Sequence, residues 1–131
     1  MLLVKTYVAP SPIHGLGLFA AESIPKDTRI WEFHPAFDRF IAPEEFESLP
    51  PPAQAFLQVY AYPWPKGGDI LLFSADNGRF SNHSDDANTV EREPYAYAAR
   101  DIRAGEEITS DYRRLGIGLA GSPSRPPGGR P

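Results

Sequence analysis

The sequence predicts a mainly β protein built from short strands joined by many turns. Proline and glycine are frequent, at 15 and 11 of 131 residues, and both interrupt regular structure too often for long helices. Strand-like runs such as Ile70-Leu71-Leu72-Phe73 and Tyr95-Ala96-Tyr97-Ala98-Ala99 are short. One pattern also occurs twice. Ala20-Ala21-Glu22-Ser23-Ile24, with Ile30 six residues on, matches Ala98-Ala99-Arg100-Asp101-Ile102, with Ile108 six residues on. Each copy reads as strand, turn with a charged tip, strand, so the chain is expected to build one small hairpin twice, from its two ends.

The elements follow in order. Residues 2–8, rich in Leu, Val and Tyr, predict a first strand that Ala9-Pro10-Ser11-Pro12 ends. In Gly15-Leu16-Gly17 two glycines flank one leucine and permit a tight or left-handed bend, and Gly17 leads into the strand Leu18-Phe19-Ala20-Ala21. A left-handed Gly17 would make Gly17→Val a strained substitution. Ile24-Pro25-Lys26-Asp27-Thr28 predicts a turn, and Arg29-Ile30-Trp31-Glu32-Phe33 alternates as a half-buried strand does. From Ala42 the character changes. Pro43-Glu44-Glu45-Phe46-Glu47 puts proline and acids where a first helical turn favours them. Pro50-Pro51-Pro52 is expected to interrupt, and residues 53–60 predict a second short helix with Phe56, Leu57 and Tyr60 on one face. Pro63-Trp64-Pro65-Lys66-Gly67-Gly68 predicts a loop, residues 69–73 a strand, and Asp76-Asn77-Gly78 a turn. Thr89-Val90-Glu91 and residues 95–99 predict two more strands. From Arg113 the chain is rich in Gly, Pro and Arg and predicts little regular structure.

The whole chain limits function. It reads as one domain, or one domain with a tail, and 41% hydrophobic residues supply a core. A net charge of -4 gives no general attraction to nucleic acid or to an acidic membrane surface. The absence of cysteine excludes disulfides and cysteine-ligated zinc or iron–sulfur centres. No apolar run reaches the length of a membrane span. Met1-Leu2-Leu3-Val4-Lys5 lacks the length and charged leader of a signal peptide. A cytoplasmic protein is the resulting expectation.

Chemistry-bearing residues fall in three places. Arg79-Phe80-Ser81-Asn82-His83-Ser84-Asp85-Asp86-Ala87-Asn88 contains only two apolar residues yet follows a buried-looking strand. An unpaired buried polar group costs about 1–3 kcal/mol, so this stretch is either an elaborate turn or a ligand site. The other two places are the Gly15-Leu16-Gly17 bend and Glu106-Glu107-Ile108-Thr109-Ser110-Asp111-Tyr112. Each alone has a structural reading: glycines make bends, Asn, Ser and Asp make turns and caps, and a tyrosine after a strand is a half-buried aromatic. A metal centre from His14, His34, His83, Asp85 and Asp86 lacks compact ligand spacing. Asp85-Asp86-Ala87-Asn88 lacks the alternation and closing Glu of a calcium loop. No metal is expected.

Together and in order, the three places resemble the motifs of the SET domain, the protein-lysine methyltransferase family, over residues 4–112. His14-Gly15-Leu16-Gly17-Leu18-Phe19-Ala20 resembles its N-terminal Gly-x-Gly motif. Arg79-Phe80-Ser81-Asn82-His83-Ser84, followed by Asn88, resembles its Arg-Phe-x-Asn-His-Ser…Asn signature, and Gly105-Glu106-Glu107-Ile108-Thr109-Ser110-Asp111-Tyr112 its C-terminal motif. The resemblance implies small β-sheets with a C-terminal pseudoknot, in which the last segment passes through a loop of the preceding chain. Residues 1–112 would be the domain, 42–68 a short, partly helical variable insert and 113–131 a tail. It implies S-adenosyl-L-methionine as cofactor, held by His14, Gly15, Leu16, Gly17, Asn82 and His83. It implies Tyr112 as the catalytic residue that orients the amine of a lysine-containing protein substrate, with Tyr60, Tyr62 and Ser110 walling the channel. A general base at His83 is the alternative to a structural histidine bonded to backbone. A SET-like module that binds peptide or cofactor without turnover is the alternative to an enzyme.

Three features depart from the family pattern. Ser110 stands two before Tyr112, where many relatives carry Phe or Tyr, and is expected to widen the pocket and permit higher methylation states. Asp85 stands where many relatives carry Cys, with no functional account. The Cys-rich zinc segment that closes the channel in many relatives is missing, so residues 115–119 or the second subunit of a homodimer would close it.

Overall fold

The computed structural model describes residues 1–116. Strands β1 (Thr6–Pro10) and β2 (Leu16–Ala20) form an antiparallel hairpin. The first strand starts later than expected because Leu2 bridges Trp31 instead, and it runs through Pro10 because β1 is an edge strand that tolerates proline. Strands β3 (Arg29–Glu32) and β4 (Arg39–Ile41) precede helices α1 (Pro43–Ser48) and α2 (Pro51–Tyr60). Then come β5 (Ala61–Trp64), β6 (Ile70–Phe73), a 3-10 helix over Asn77–Phe80 and β7 (Asn82–His83). Strands β8 (Thr89–Arg92), β9 (Tyr95–Ala98) and β10 (Glu107–Ser110) complete the described part. They make three sheets, ordered β1-β2-β10-β7, β3-β9-β8 and β4-β6-β5.

Proline chemistry explains two departures from expectation. Pro51 and Pro52 open α2 rather than interrupting it, because a first helical turn has no use for their missing N–H groups. Pro63 and Trp64, expected to begin a loop, instead end the strand β5. Pro63 is accommodated because β5 lies at a sheet edge and pairs with β6 alone. Of the predicted face of α2, Leu57 and Tyr60 are buried. Phe56 is exposed, although its ring lies 4.7 Å from that of Tyr60.

The repeated segments do not fold back on themselves as two hairpins; they pair with each other. Ile24 and Ile102 exchange both backbone hydrogen bonds at 2.8 Å. The Ala20 N–H donates to Glu106 O at 3.0 Å, and its counterpart Ala98 donates to Thr28 O at 2.9 Å. Gly105 donates to Ala20 O at 2.7 Å, and its counterpart Asp27 to Ala98 O at 2.9 Å. Gly105 (φ 84) and Asp27 (φ 65) hold the same left-handed place in the two copies. Each copy thus supplies the other's partners about an approximate two-fold axis. A lone hairpin would leave its apolar face in water. Here the two faces cover each other, so Ala20, Ile24, Ile30, Ala98, Ile102 and Ile108 are each at most 2% exposed. Burial of each such isoleucine contributes roughly 1.5–3 kcal/mol. A smaller core of Ile41, Leu57 and Ala61 lies under the two helices.

Strand β10 positions the site. It pairs antiparallel with β2, Ile108 opposite Leu18, and parallel with β7, Thr109 opposite Asn82 and Ser110 opposite His83. The last strand therefore brings the glycine bend, the polar stretch and Tyr112 to one place.

Candidate active site

The polar stretch is not one turn. Its start is the 3-10 helix, capped by Asp76, whose carboxylate accepts the Gly78 N–H at 3.0 Å. Asn82, only 3% exposed, is then clamped from two sides. Its Nδ2 lies within hydrogen-bond distance of His14 O (3.0 Å), Leu16 O (3.1 Å) and Glu107 Oε1 (2.9 Å). Ser11 Oγ donates to the same carboxylate at 2.8 Å. Asn88 is also buried. It donates from Nδ2 to Glu107 O at 2.7 Å and accepts the Thr109 N–H at 2.9 Å. The crossing strand and the glycine bend thus satisfy the polar groups that local structure could not.

The left-handed residue of the bend is Gly15 (φ 47), not Gly17. Gly17 lies within β2, and its constraint is space. A Cβ there would sit 2.9 Å from Glu107 Cδ and 3.0 Å from Ser11 Cβ, in collision with Glu107 Oε1. Gly17→Ala is therefore expected to push Glu107 off Asn82 and to lower stability by about 1–3 kcal/mol. Thermal melting measures this. An unchanged melt would show that the carboxylate moves aside freely.

His83 accepts the Tyr112 N–H at Nδ1 (3.2 Å), so its neutral ring carries the proton on Nε2, 3.1 Å from Asp85 Oδ1. Both ring nitrogens are thus engaged, and the imidazole ties the Tyr112 backbone to β7. Asp85 gains a structural account, since it also lies 3.1 Å from Arg113 Nη2. At 79% exposure that pair contributes little. Tyr112 is buried, its ring 5.3 Å from that of His83, and its hydroxyl donates to Ser81 O at 2.7 Å.

Tyr112 also lines a cavity with about 910 Å³ of empty space, part of it open to solvent. Tyr60, Tyr62 and Ser110, the three residues expected to wall the channel, share that lining with Tyr112. Among the described lining residues none comes from the glycine bend or from Asn82-His83. Alternation along β10 explains the division. Ile108 and Ser110 face the cavity, whereas Glu107 and Thr109 face Asn82 and Asn88. Burial, followed by the nearby Glu91 carboxylate, pushes the Tyr62 phenol far up, so it stays protonated. Leu115 joins the wall. The rest of the expected tail closure, at 117–119, lies outside the described residues.

A family model of the SET domain matches residues 15–113. The chain belongs to the SET domain family. It is 31% identical over 129 residues to the histone-lysine N-methyltransferase, H3 lysine-4 specific, of Schizosaccharomyces pombe. That match covers 83% of this chain but 13% of the yeast protein. A candidate histone methyltransferase of Plasmodium falciparum superposes with a TM-score of 0.58 at 26% identity, covering 85% of this chain and 95% of that one. A humanized Chaetomium thermophilum Polycomb Repressive Complex 2 mutant, solved with an inhibitor, gives a TM-score of 0.65 at 22% identity. It covers 88% of this chain and 16% of that one, a likeness of fold alone.

Within this SET fold, two carboxylates take places in which the sequence reading gave them no role. Glu107 joins Asn82 to Ser11, and Glu91 faces the cavity beside Ser110. Period-two alternation along β8 and β10 is the signal that could have found both.

Proposed function

We propose that this SET protein transfers a methyl group from S-adenosylmethionine to the side-chain amine of a lysine in a protein substrate. The observation that carries this reading is the position of Tyr112. Its backbone is tied to the Asn82-His83 strand, while its ring lines the cavity with Ser110 and Tyr62. The glycine bend fits the cofactor. Three acceptors surround an Asn82 amide nitrogen that has only two hydrogens, which leaves acceptor capacity for the methionyl ammonium. Gly15, exposed and without a side chain, leaves the Leu16 backbone open to close approach. His14, Gly15, Leu16, Gly17, Asn82 and His83 would hold the group. When bound, it supplies a methyl carbon made electrophilic by a sulfonium.

The chain's own residues prepare the amine. A lysine of pKa about 10.4 costs roughly 4–5 kcal/mol to present neutral at pH 7. A wall of Tyr60, Tyr62 and Trp64 strips water from the ammonium and reduces that cost. The Tyr112 hydroxyl proton points at Ser81 O, so its oxygen meets the amine as an acceptor. Accepting one amine N–H turns the nitrogen lone pair away from the phenol and toward the methyl group. Glu91 and Glu93 on the cavity wall favour a basic substrate segment.

Labelled S-adenosylmethionine added to a mixed protein extract tests the reading. A discrete labelled protein is expected. Cofactor binding without label transfer would replace it with a binding module.

Ser110 sets the expected product. Its hydroxyl lies 3.0 Å from Ser81 Oγ and 3.3 Å from Thr89 Oγ1, and no aromatic ring occupies its position. Mass spectrometry should find di- or trimethyl-lysine from the natural protein and only monomethyl-lysine from Ser110→Phe. Strictly monomethyl product from both would refute the wider pocket.

A further inference from the structure

We propose that the Glu91 carboxylate accepts the proton of the entering lysine ammonium. This inference rests on the methyltransferase reading above and gives its amine a proton acceptor. Alternation along β8 turns Thr89 and Glu91 to the cavity wall, next to Ser110 on β10. Glu91 Oε2 is fully buried and has no hydrogen-bond partner among the described residues. A carboxylate oxygen left in that condition opposes folding, and an uncharged side chain would fill the same strand position without the penalty. The donor we assign to it is one that a substrate brings into the cavity lined by Tyr60, Tyr62, Ser110 and Tyr112. A lysine ammonium brings three such donors.

The charges around Glu91 suit a proton acceptor. Burial pushes its carboxyl above the ordinary carboxylate range. Its own backbone N–H, Arg114 and Ser110 pull the other way, and the nearby Asp111 adds to the rise. Arg79 and Glu93 line the same cavity. The remaining titratable groups on the wall are phenols, Tyr60, Tyr62, Tyr95 and Tyr112. In water the amine, at about 10.4, holds its proton far more tightly than a carboxylate at about 4.3. Burial disfavours both charged forms, so it lowers the first value, raises the second and narrows the gap. In the transfer one N–H bond breaks, its electron pair stays on nitrogen, and the proton forms an O–H bond at Oε2. The nitrogen pair is then available for the methyl group. The proton leaves Glu91 for solvent through the open mouth of the cavity before the next turnover.

Glu91→Gln keeps the shape and imitates the protonated acid. It is expected to fold with a melting temperature equal to or above that of the natural protein. The sign follows from linkage. A carboxyl raised in the folded state binds more protons there than in the unfolded chain. The natural protein therefore loses stability relative to Glu91→Gln as pH rises from the unfolded carboxyl range through the folded value. Melts across pH read this without any activity. In turnover, kcat is expected to fall about 10²-fold. The natural enzyme's rate should level off above the Glu91 ionisation, while that of Glu91→Gln should keep climbing toward the amine's own pKa. A peptide with the less basic S-aminoethylcysteine in place of lysine should restore much of the lost rate in the variant and little in the natural enzyme.

Equal rates and equal pH profiles for the two proteins would overturn the role of Glu91 and leave the methyltransferase reading standing. A natural protein that labels nothing would overturn that reading and the role with it. Failure of both Glu91→Gln and Glu91→Ala to fold would make Glu91 structural and overturn the role.

Discussion

Under the proposed function, Tyr112→Phe is expected to lower the rate of methyl transfer by about 10²- to 10³-fold, while the protein still folds and still binds S-adenosylmethionine. Phenylalanine keeps the ring against His83, and the backbone bond from Tyr112 to His83 Nδ1 is untouched. What disappears is the hydroxyl. Ser81 O loses its 2.7 Å donor, a loss of about 1 kcal/mol in stability. The amine loses the acceptor that turns its lone pair. The first loss is small because the cavity opens to solvent. The second falls on the reacting geometry. Single-turnover rates beside calorimetric cofactor binding separate the two. A rate within twofold of the natural protein would remove Tyr112 from the chemistry.

Asn82→Ala is expected to damage both the fold and cofactor binding. The substitution strips the donor from His14 O, Leu16 O and Glu107 Oε1 together. The carboxylate keeps Ser11, but it then faces two carbonyls across a void. Removing one partner from a buried charged network costs about 3–5 kcal/mol. The glycine bend also loses a side chain that ties the His14 and Leu16 carbonyls to β7. Denaturant unfolding should show the stability loss, and cofactor affinity should fall more than tenfold. A stable variant with unaltered affinity would mean that the bend is held by β2 alone.

These two substitutions mark how far local chemistry reaches. The Asn82-His83 stretch was open to two readings because its partners are not its neighbours. Asn82 is completed by residues near 14 and at 107, and Asn88 by β10. Gly17 was read as a possible left-handed bend residue because a glycine's conformational freedom is visible along the chain. The carboxylate that crowds it is not. The repeated Ala-Ala…Ile pattern was visible, but it was read as two separate hairpins. A pattern of apolar positions states which face must be buried, not what buries it.

Composition, punctuation by proline and glycine, and the order of three motifs were enough to specify a small mainly β domain of the SET family, with Tyr112 following its last strand. They were enough because turn chemistry and strand alternation act between residues close in the chain. The pairing of the two echoes, the clamp on Asn82 and the exposure of Glu91 to an aromatic cavity arise between residues tens of positions apart. Those contacts form only when the folded chain has brought the segments together; alternation could mark Glu91 and Glu107 as inward-facing but could not name what they meet.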